Sequence, residues 1–355
     1  MMDTSSINNK IIKSQKYKRT YKLYYRFDAT NNKWLYITLP ITMDFSIERN
    51  NLATANRCKL TLYNLSKNTR DLLFRDELDI GKPYNPDEVG WVQTSQAELD
   101  KAEKSPDKLR NWLELEIGYE STHMSYQVFS GAVLWAYSYK QGVDYITEIS
   151  AYSTNLKDPL TYITYEAKAG KTYKSAIEDI ATQLTGIYNI SISDEIAEKV
   201  FTEDTVLMGT AEDILIKQLG YKPYVDNNSL YVFNDKSTIS REPTIINAGN
   251  GLLSSPRRTQ NGVKISMMFE PQLRVGQLVQ LNADIEQTYN GTTFVVSGFK
   301  HNGSVSTVRD SQTTTEVELI RGLPGFFRTP KNDPKTIIPP PKNVTIREAM
   351  GVSND

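Results

Sequence analysis

Apolar and polar side chains alternate with a period of two at both ends of this chain, and the period changes to that of a helix only in between. In Tyr21–Asp28 the apolar positions are Tyr21, Leu23, Tyr25 and Phe27, with Lys22, Arg26 and Asp28 between them. Successive side chains of a strand point to opposite faces, so such a segment buries one face and wets the other. Thr30-Asn31-Asn32 turns the chain into Trp34–Leu39, and Pro40 ends that strand or marks it as an edge. Met43, Phe45 and Ile47 alternate with Asp44, Ser46 and Glu48, and Cys58, Leu60 and Leu62 with Lys59 and Thr61. Ser66 then stands where an N-cap is expected for a short helix carrying Leu72 and Leu73.

A charged segment, residues 76–112, with Pro83, Pro86 and Pro106, reads as a surface insertion. Beyond it Leu113, Leu115, Ile117 and Tyr119 alternate again, followed by Tyr126–Tyr139 and Val143–Tyr152. Gly131 marks a bulge or a close approach of two backbones. In the middle, Thr172 is placed to cap a helix with Ala176, Ile177, Ile180, Ala181 and Leu184 on one side. Thr210 does the same for Ile214, Leu215 and Leu219, with Gly220 as the stop. Tyr224-Val225 and Leu230–Phe233 flank Asp226-Asn227-Asn228-Ser229, a hairpin signal. From Pro256 strands return, led by Val263, Ile265, Met267 and Phe269. Gln277–Leu281, Thr293–Lys300 and Thr315–Ile320 follow, with turns expected at Asn290-Gly291 and Asn302-Gly303.

The expected fold is mainly β with an α+β insertion: two antiparallel β-barrels flanking a small α/β domain. The expected divisions are a flexible N-terminal arm (1–19), a first barrel (20–160) carrying the insertion 76–112, an α+β domain (161–245), a second barrel (246–325) and a Pro-rich tail (326–355). With Pro339-Pro340-Pro341 at its centre, the tail is expected to be extended and available to a partner.

The 355 residues suffice for two or three domains, and the net charge of -1 gives no overall attraction to nucleic acid or an anionic membrane. The basic start (Lys10, Lys13, Lys16, Lys18, Arg19) reads as a solvated arm before it reads as a phosphate-binding one. A single cysteine, Cys58, excludes an internal disulfide and a cysteine-built zinc site, and its alternating context suits a small buried hydrophobe. Residues 1–20 lack an apolar stretch, and no run approaches the roughly 20 apolar residues of a membrane span. Folding in a reducing cytoplasm is the corresponding expectation.

The search for chemistry finds no catalytic, cofactor or metal residues to assign. The two histidines, His123 and His301, lie in no metal or triad context, and His301 reads as a hairpin-end residue. Gly249-Asn250-Gly251 lacks the lysine and helix of a phosphate loop and reads as a turn between domains. Glu114/Glu116 and Glu316/Glu318 each project from one strand face, as a glycosidase pair or, more simply, a solvated face would. The 21 tyrosines suit core packing, and also a protein or carbohydrate surface.

One run, Ala53-Thr54-Ala55-Asn56-Arg57-Cys58-Lys59-Leu60-Thr61-Leu62-Tyr63-Asn64-Leu65-Ser66-Lys67-Asn68-Thr69-Arg70, resembles a piece of phage tail proteins in which a tube-type strand enters a short helix. Phe129–Val133 and Asp144–Ile149 resemble the next two strands of those proteins. Gly251–Pro256 through Asn261–Lys264, with Pro271 and Arg274–Gln277, is similar to the re-entry into their second barrel, and Phe294–Asn302 to its closing strand. Over about residues 20–325 the chain thus resembles the baseplate central hub of Mu-type and T-even-type phage tails, related in fold to the N-terminal part of type VI secretion spike proteins. The resemblance implies two tube-like barrels per subunit and a homotrimeric, pseudo-sixfold ring joining the tail tube to the central spike. It further implies DNA passing through the lumen without specific binding and no catalytic residues. The expected partners are further copies, tail tube or distal tail proteins, the spike or tail-tip protein and the tape-measure protein. The expected place is the virion baseplate, after assembly in the host cytoplasm. The insertion 76–112 exceeds what a minimal hub needs, and no lysozyme-like domain or long β-helix is present. A receptor- or glycan-binding tail protein and a cell-wall hydrolase remain as alternatives.

Overall fold

The computed structural model describes residues 18–29, 31–52, 55–75, 111–157, 161–234, 237–240, 242–283, 289–309, 312–321, 329–331 and 333–348. Of the expected arm 1–19 and insertion 76–112, only the last two residues of each lie among the described residues.

The first unit holds β1 (Arg19–Asp28), β2 (Lys33–Thr38), β3 (Met43–Asn50), β4 (Arg57–Tyr63), α1 (Lys67–Leu73), β5 (Trp112–Tyr119), β6 (Met124–Gln141) and β7 (Asp144–Tyr152). Its strands lie in the antiparallel order β3-β4-β7-β6-β5-β1-β2. The inward positions of the alternation, from Tyr21, Leu23 and Tyr25 to Ile149 and Ala151, share one core. Burying each such Leu, Ile or Phe contributes about 1.5–3 kcal/mol. α1 is capped as its sequence predicts, with the Ser66 hydroxyl accepting from the Thr69 N–H. At Gly131 a Cβ would overlap the Tyr152 carbonyl, so glycine permits the close backbone approach.

The middle unit holds β8 (Ile163–Ala167), α2 (Tyr173–Ala181), β9 (Asn189–Ile192), α3 (Asp194–Ala197), β10 (Thr205–Gly209), a π-helical turn (Asp213–Gln218), β11 (Lys222–Asp226) and β12 (Ser229–Phe233). Thr172 caps α2 by accepting from the Ser175 N–H, and Ala176, Ile177, Ile180 and Ala181 are buried on one side. Thr210 bonds Asp213 through both backbone and side chain at the start of the π turn, and Gly220 closes it at φ 79°. These faces join Ile190, Leu230 and Val232 in a second core.

The third unit holds β13 (Thr244–Asn247), β14 (Arg257–Arg258), β15 (Gly262–Met268), β16 (Leu278–Asn282), β17 (Thr292–Val305) and β18 (Thr314–Arg321), around a core of Val263, Ile265, Val279, Phe294, Phe299 and Val317 among others. Asn302-Gly303, expected to turn, lies inside β17. The strand continues because it is paired on both sides, with β18 as far as Asn302 and with β3 as far as Val305. Gly303 is small because the Thr313 side chain fills the space a Cβ would need.

That pairing of β17 with β3 fuses the first and third units into one sheet of 14 strands. Phe269 and Val305 of the third unit are buried in the core of the first. Of the expected tail 326–355, the described residues are extended, but they are not free. β19 (Lys335–Thr336) pairs with β9, and β20 (Asn343–Glu348) adds a parallel strand to the edge of β2. Two exposed sheet edges offered unpaired backbone groups, and the tail covers both. Among the described residues no helix is long and apolar enough to cross a membrane.

Candidate functional site

Eight consecutive strands, β14-β15-β18-β17-β3-β4-β7-β6, share one polar face that runs across the first and third units without a break. One cross-strand row reads Arg57, Glu48, Lys300, Glu316, with the sign of charge alternating from β4 to β18. The next holds Ser150, Lys59, Ser46, Asn302 and Thr314. Every residue between them along each strand points into a core, so the period-two sequence pattern itself makes this face.

Its charges balance. Arg57, Lys59, Arg257, Lys264, Lys300 and Arg309 are offset by Asp44, Glu48, Asp144, Glu148, Glu316 and Glu318, all exposed or half-buried. Lys264 meets Glu316 at 3.0 Å, and Arg309 pairs with Asp44 while lying 4.8 Å from the Tyr63 ring centre. Partial burial would raise the Asp44 carboxyl, but hydrogen bonds from Ser304, Arg309 and Tyr63 outweigh it and hold the group below the usual carboxylate range. Towards the tip of the β6–β7 hairpin the face becomes aromatic. Trp135 lies tilted against Tyr137 at a centroid distance of 5.1 Å, Tyr137 stacks on Tyr139 at 6.0 Å, and both tyrosine hydroxyls donate to Glu148, at 2.9 and 2.8 Å. With cations already matched by carboxylates, the surface carries no net charge.

Behind the face, the hairpin turn Asp226–Ser229 plugs the middle unit into the first, and none of its four residues is more than 9% exposed. Asp226 Oδ1 accepts from Arg49 Nε at 2.7 Å, and Arg49 Nη2 is 2.5 Å from the same oxygen. Burial pushes the Arg49 guanidinium below its ordinary value, and the adjacent Asp226 opposes that shift. Asn227 Nδ2 donates to the Gln127 carbonyl at 2.9 Å. Asn228 Nδ2 donates to Ser130 Oγ at 3.0 Å, which also accepts from Trp112 Nε1 at 2.9 Å. Asn56 Nδ2 donates to the Val225 carbonyl at 2.7 Å. A turn sequence signals its own conformation but not what it packs against, so this junction was not readable from Asp226-Asn227-Asn228-Ser229.

The residues singled out by sequence do not converge. His301 is fully buried within β17, its ring 5.0 Å from Phe269 and 4.7 Å from Phe299, with Nδ1 2.8 Å from Thr315 Oγ1. Burial, reinforced by Arg49, lowers its pKa well below the ordinary value. It is a core residue, not a hairpin end. His123 is exposed at the turn before β6, with φ 52°. Glu114 is bound by Lys342 and Glu116 by Lys22 and Ser125, whereas Glu316 faces Lys264. Gly249 and Asn250 belong to a short capped turn in which the Asn247 and Asn250 side chains bond each other's backbone. Cys58 is buried, and burial raises its thiol pKa. Among the described residues no group of three or more His, Cys, Asp or Glu is placed to hold a metal ion.

The fold is shared with the tail protein of Neisseria meningitidis MC58, at a TM-score of 0.50 and 11% identity over 86% of this chain and 97% of that one. Similar too is the 43 kDa tail protein of prophage MuSo2 from Shewanella oneidensis, at a TM-score of 0.49 and 9% identity over 86% and 97%. The E. coli c3393 protein, a type VI secretion component, follows at a TM-score of 0.47 and 10% identity over 81% and 75%. No curated protein matches the chain in sequence. Residues 27–304, most of the chain, match the family of the baseplate hub gp41, and the chain belongs to that family. This agrees with the hub resemblance carried by Ala53–Arg70 and the pieces after it, and it makes the protein a structural component of a phage tail baseplate.

Proposed function

We propose that three copies close into a pseudo-sixfold ring that joins the tail tube to the central spike, with the eight-stranded polar face lining the channel. The observation that carries this reading is the fusion of two β units through β17 and β3 into one sheet with one polar, charge-balanced face. A chain with two such units presents six of them in a trimer, which meets a sixfold tube on one side and a threefold spike on the other. A lumen that passes DNA must not retain it, and alternating charges with no surplus suit that task. On this reading the partners are further copies, tail tube or distal tail proteins, the spike and the tape-measure protein; the protein acts in the virion after assembly in the host cytoplasm and performs no catalysis.

Mass measurement in solution with negative-stain imaging tests it. Particles of three chains with a central opening are expected, and a monodisperse monomer under assembly conditions overturns the ring. The adjoining rings of Trp135, Tyr137 and Tyr139 favour a second reading, glycan capture, because aromatic rings beside a carboxylate suit a sugar face. Saturable glycan binding by such a monomer would establish it instead.

A further inference from the structure

The C-terminal segment sits in a site with its own recognition chemistry. Lys342 Nζ is 2.7 Å from Glu114 Oε2, 4.8 Å from the Tyr24 ring centre and 5.7 Å from that of Trp34. Glu114 is only 9% exposed, and a carboxylate so enclosed favours a cation beside it. Asn32 Nδ2 donates to the Pro341 carbonyl at 2.9 Å, and Asn32 is itself fixed by the Trp34 Nε1–H bond to its Oδ1 at 2.8 Å. At the far end the Ser66 N–H donates to Glu348 Oε1 at 2.7 Å. Between these anchors β20 pairs with β2, and Val344 and Ile346 rest half-buried on the apolar clusters of the first unit. The groove therefore reads an extended strand with Pro-Lys at one end and a glutamate at the other. Backbone bonds supply affinity, and the cage and the serine supply selectivity.

The strap that fills the groove within one chain is shallowly held. Along β20 residues are alternately exposed and half-buried, and none is buried. Every copy carries the same groove and the same strand, so exchange between copies conserves each contact. Copies closed into a ring would also present a neighbour's strap at high local concentration. We propose that the β2 groove is an intersubunit docking site whose occupant in the assembled protein is residues 341–348 of a second copy. This rests on the ring reading given above.

Lys33 and Asn343 face each other in the parallel ladder, and Cys58 is buried and silent. Full-length Lys33→Cys and Asn343→Cys chains, one carrying a size tag, are co-expressed, oxidised under mild conditions and resolved without reductant, with ring formation followed separately by mass. A disulfide-linked heterodimer is expected, and it should be lost when Lys342→Glu is added to the Asn343→Cys chain. Val143→Cys, a site 90% exposed on a hairpin tip, sets the collisional background in place of Asn343→Cys. Rings without a link above that background overturn strand exchange and leave the ring standing. A mixture that stays monomeric and unlinked overturns both.

Discussion

Arg49 and Asp226 stand 177 positions apart and meet in a fully buried ion pair, Nε to Oδ1 at 2.7 Å, where the middle unit plugs into the first. The same guanidinium lies 5.0 Å from the Phe299 ring centre and donates to the Val128 carbonyl at 3.3 Å. One side chain thus touches all three units.

Removing one partner of such a pair strands the other charge without water. Arg49→Ala is expected to cost about 3–5 kcal/mol. Arg49→Met with Asp226→Leu, which removes both charges, should recover most of that loss. Chemical denaturation of the three proteins checks it, and equal losses in the single and double variants would show that the ion pair is not what matters.

His301 gives the fold a defined response to acid. Its folded pKa lies well below the unfolded value of about 6.5, so below that pH the unfolded chain binds a proton that the folded chain refuses. Stability is fully present above about pH 6.5 and falls on acidification by up to about 1.4 kcal/mol per pH unit until the folded pKa is reached. Unfolding curves between about pH 7.5 and 5.5 should show this slope, and His301→Gln should flatten it.

Cys58 should not react with thiol reagents while the chain is folded. Burial between Ile47 and Ala151 raises its pKa and blocks access. Mass spectrometry should find the thiol unmodified in buffer and fully modified in denaturant; rapid labelling of native protein would show that β4 opens.

The polar face should turn sticky when its balance is broken. Glu48→Lys with Glu316→Lys makes the row from Arg57 to Glu316 wholly cationic. The variant is expected to bind duplex DNA with an affinity that falls steeply with salt, whereas the native protein shows no such binding. Electrophoretic shift over a salt series distinguishes the two, and equal binding by both would overturn the proposal that this face lines a channel.

Much of the architecture was legible because it depends on neighbours a few positions away. Tyr21–Phe27 and Val263–Phe269 announced half-buried strands, Leu113–Tyr119 announced a strand that proves buried on both faces, and Ser66 and Thr172 announced helix starts, since alternation and capping act within one or two turns of chain. The Asn302-Gly303 expectation failed for the converse reason. That dipeptide favours a turn when considered alone, but ladders with β3 and β18 on either side outweigh the preference. His301 was misplaced by the same error, because a residue expected at a hairpin end sits in mid-strand once the turn is gone.

By itself the sequence determined the alternation of strands such as β1, β3, β4 and β15, and hence which of their faces would be polar. Only the tertiary structure decided that the eight-stranded polar face is single and continuous. The joining of β17 to β3, the burial of Asp226 against Arg49 and the return of the tail to β2 each pair residues far apart in the chain, and their partners are chosen by shape and charge in space. Local periodicity carries no record of that choice.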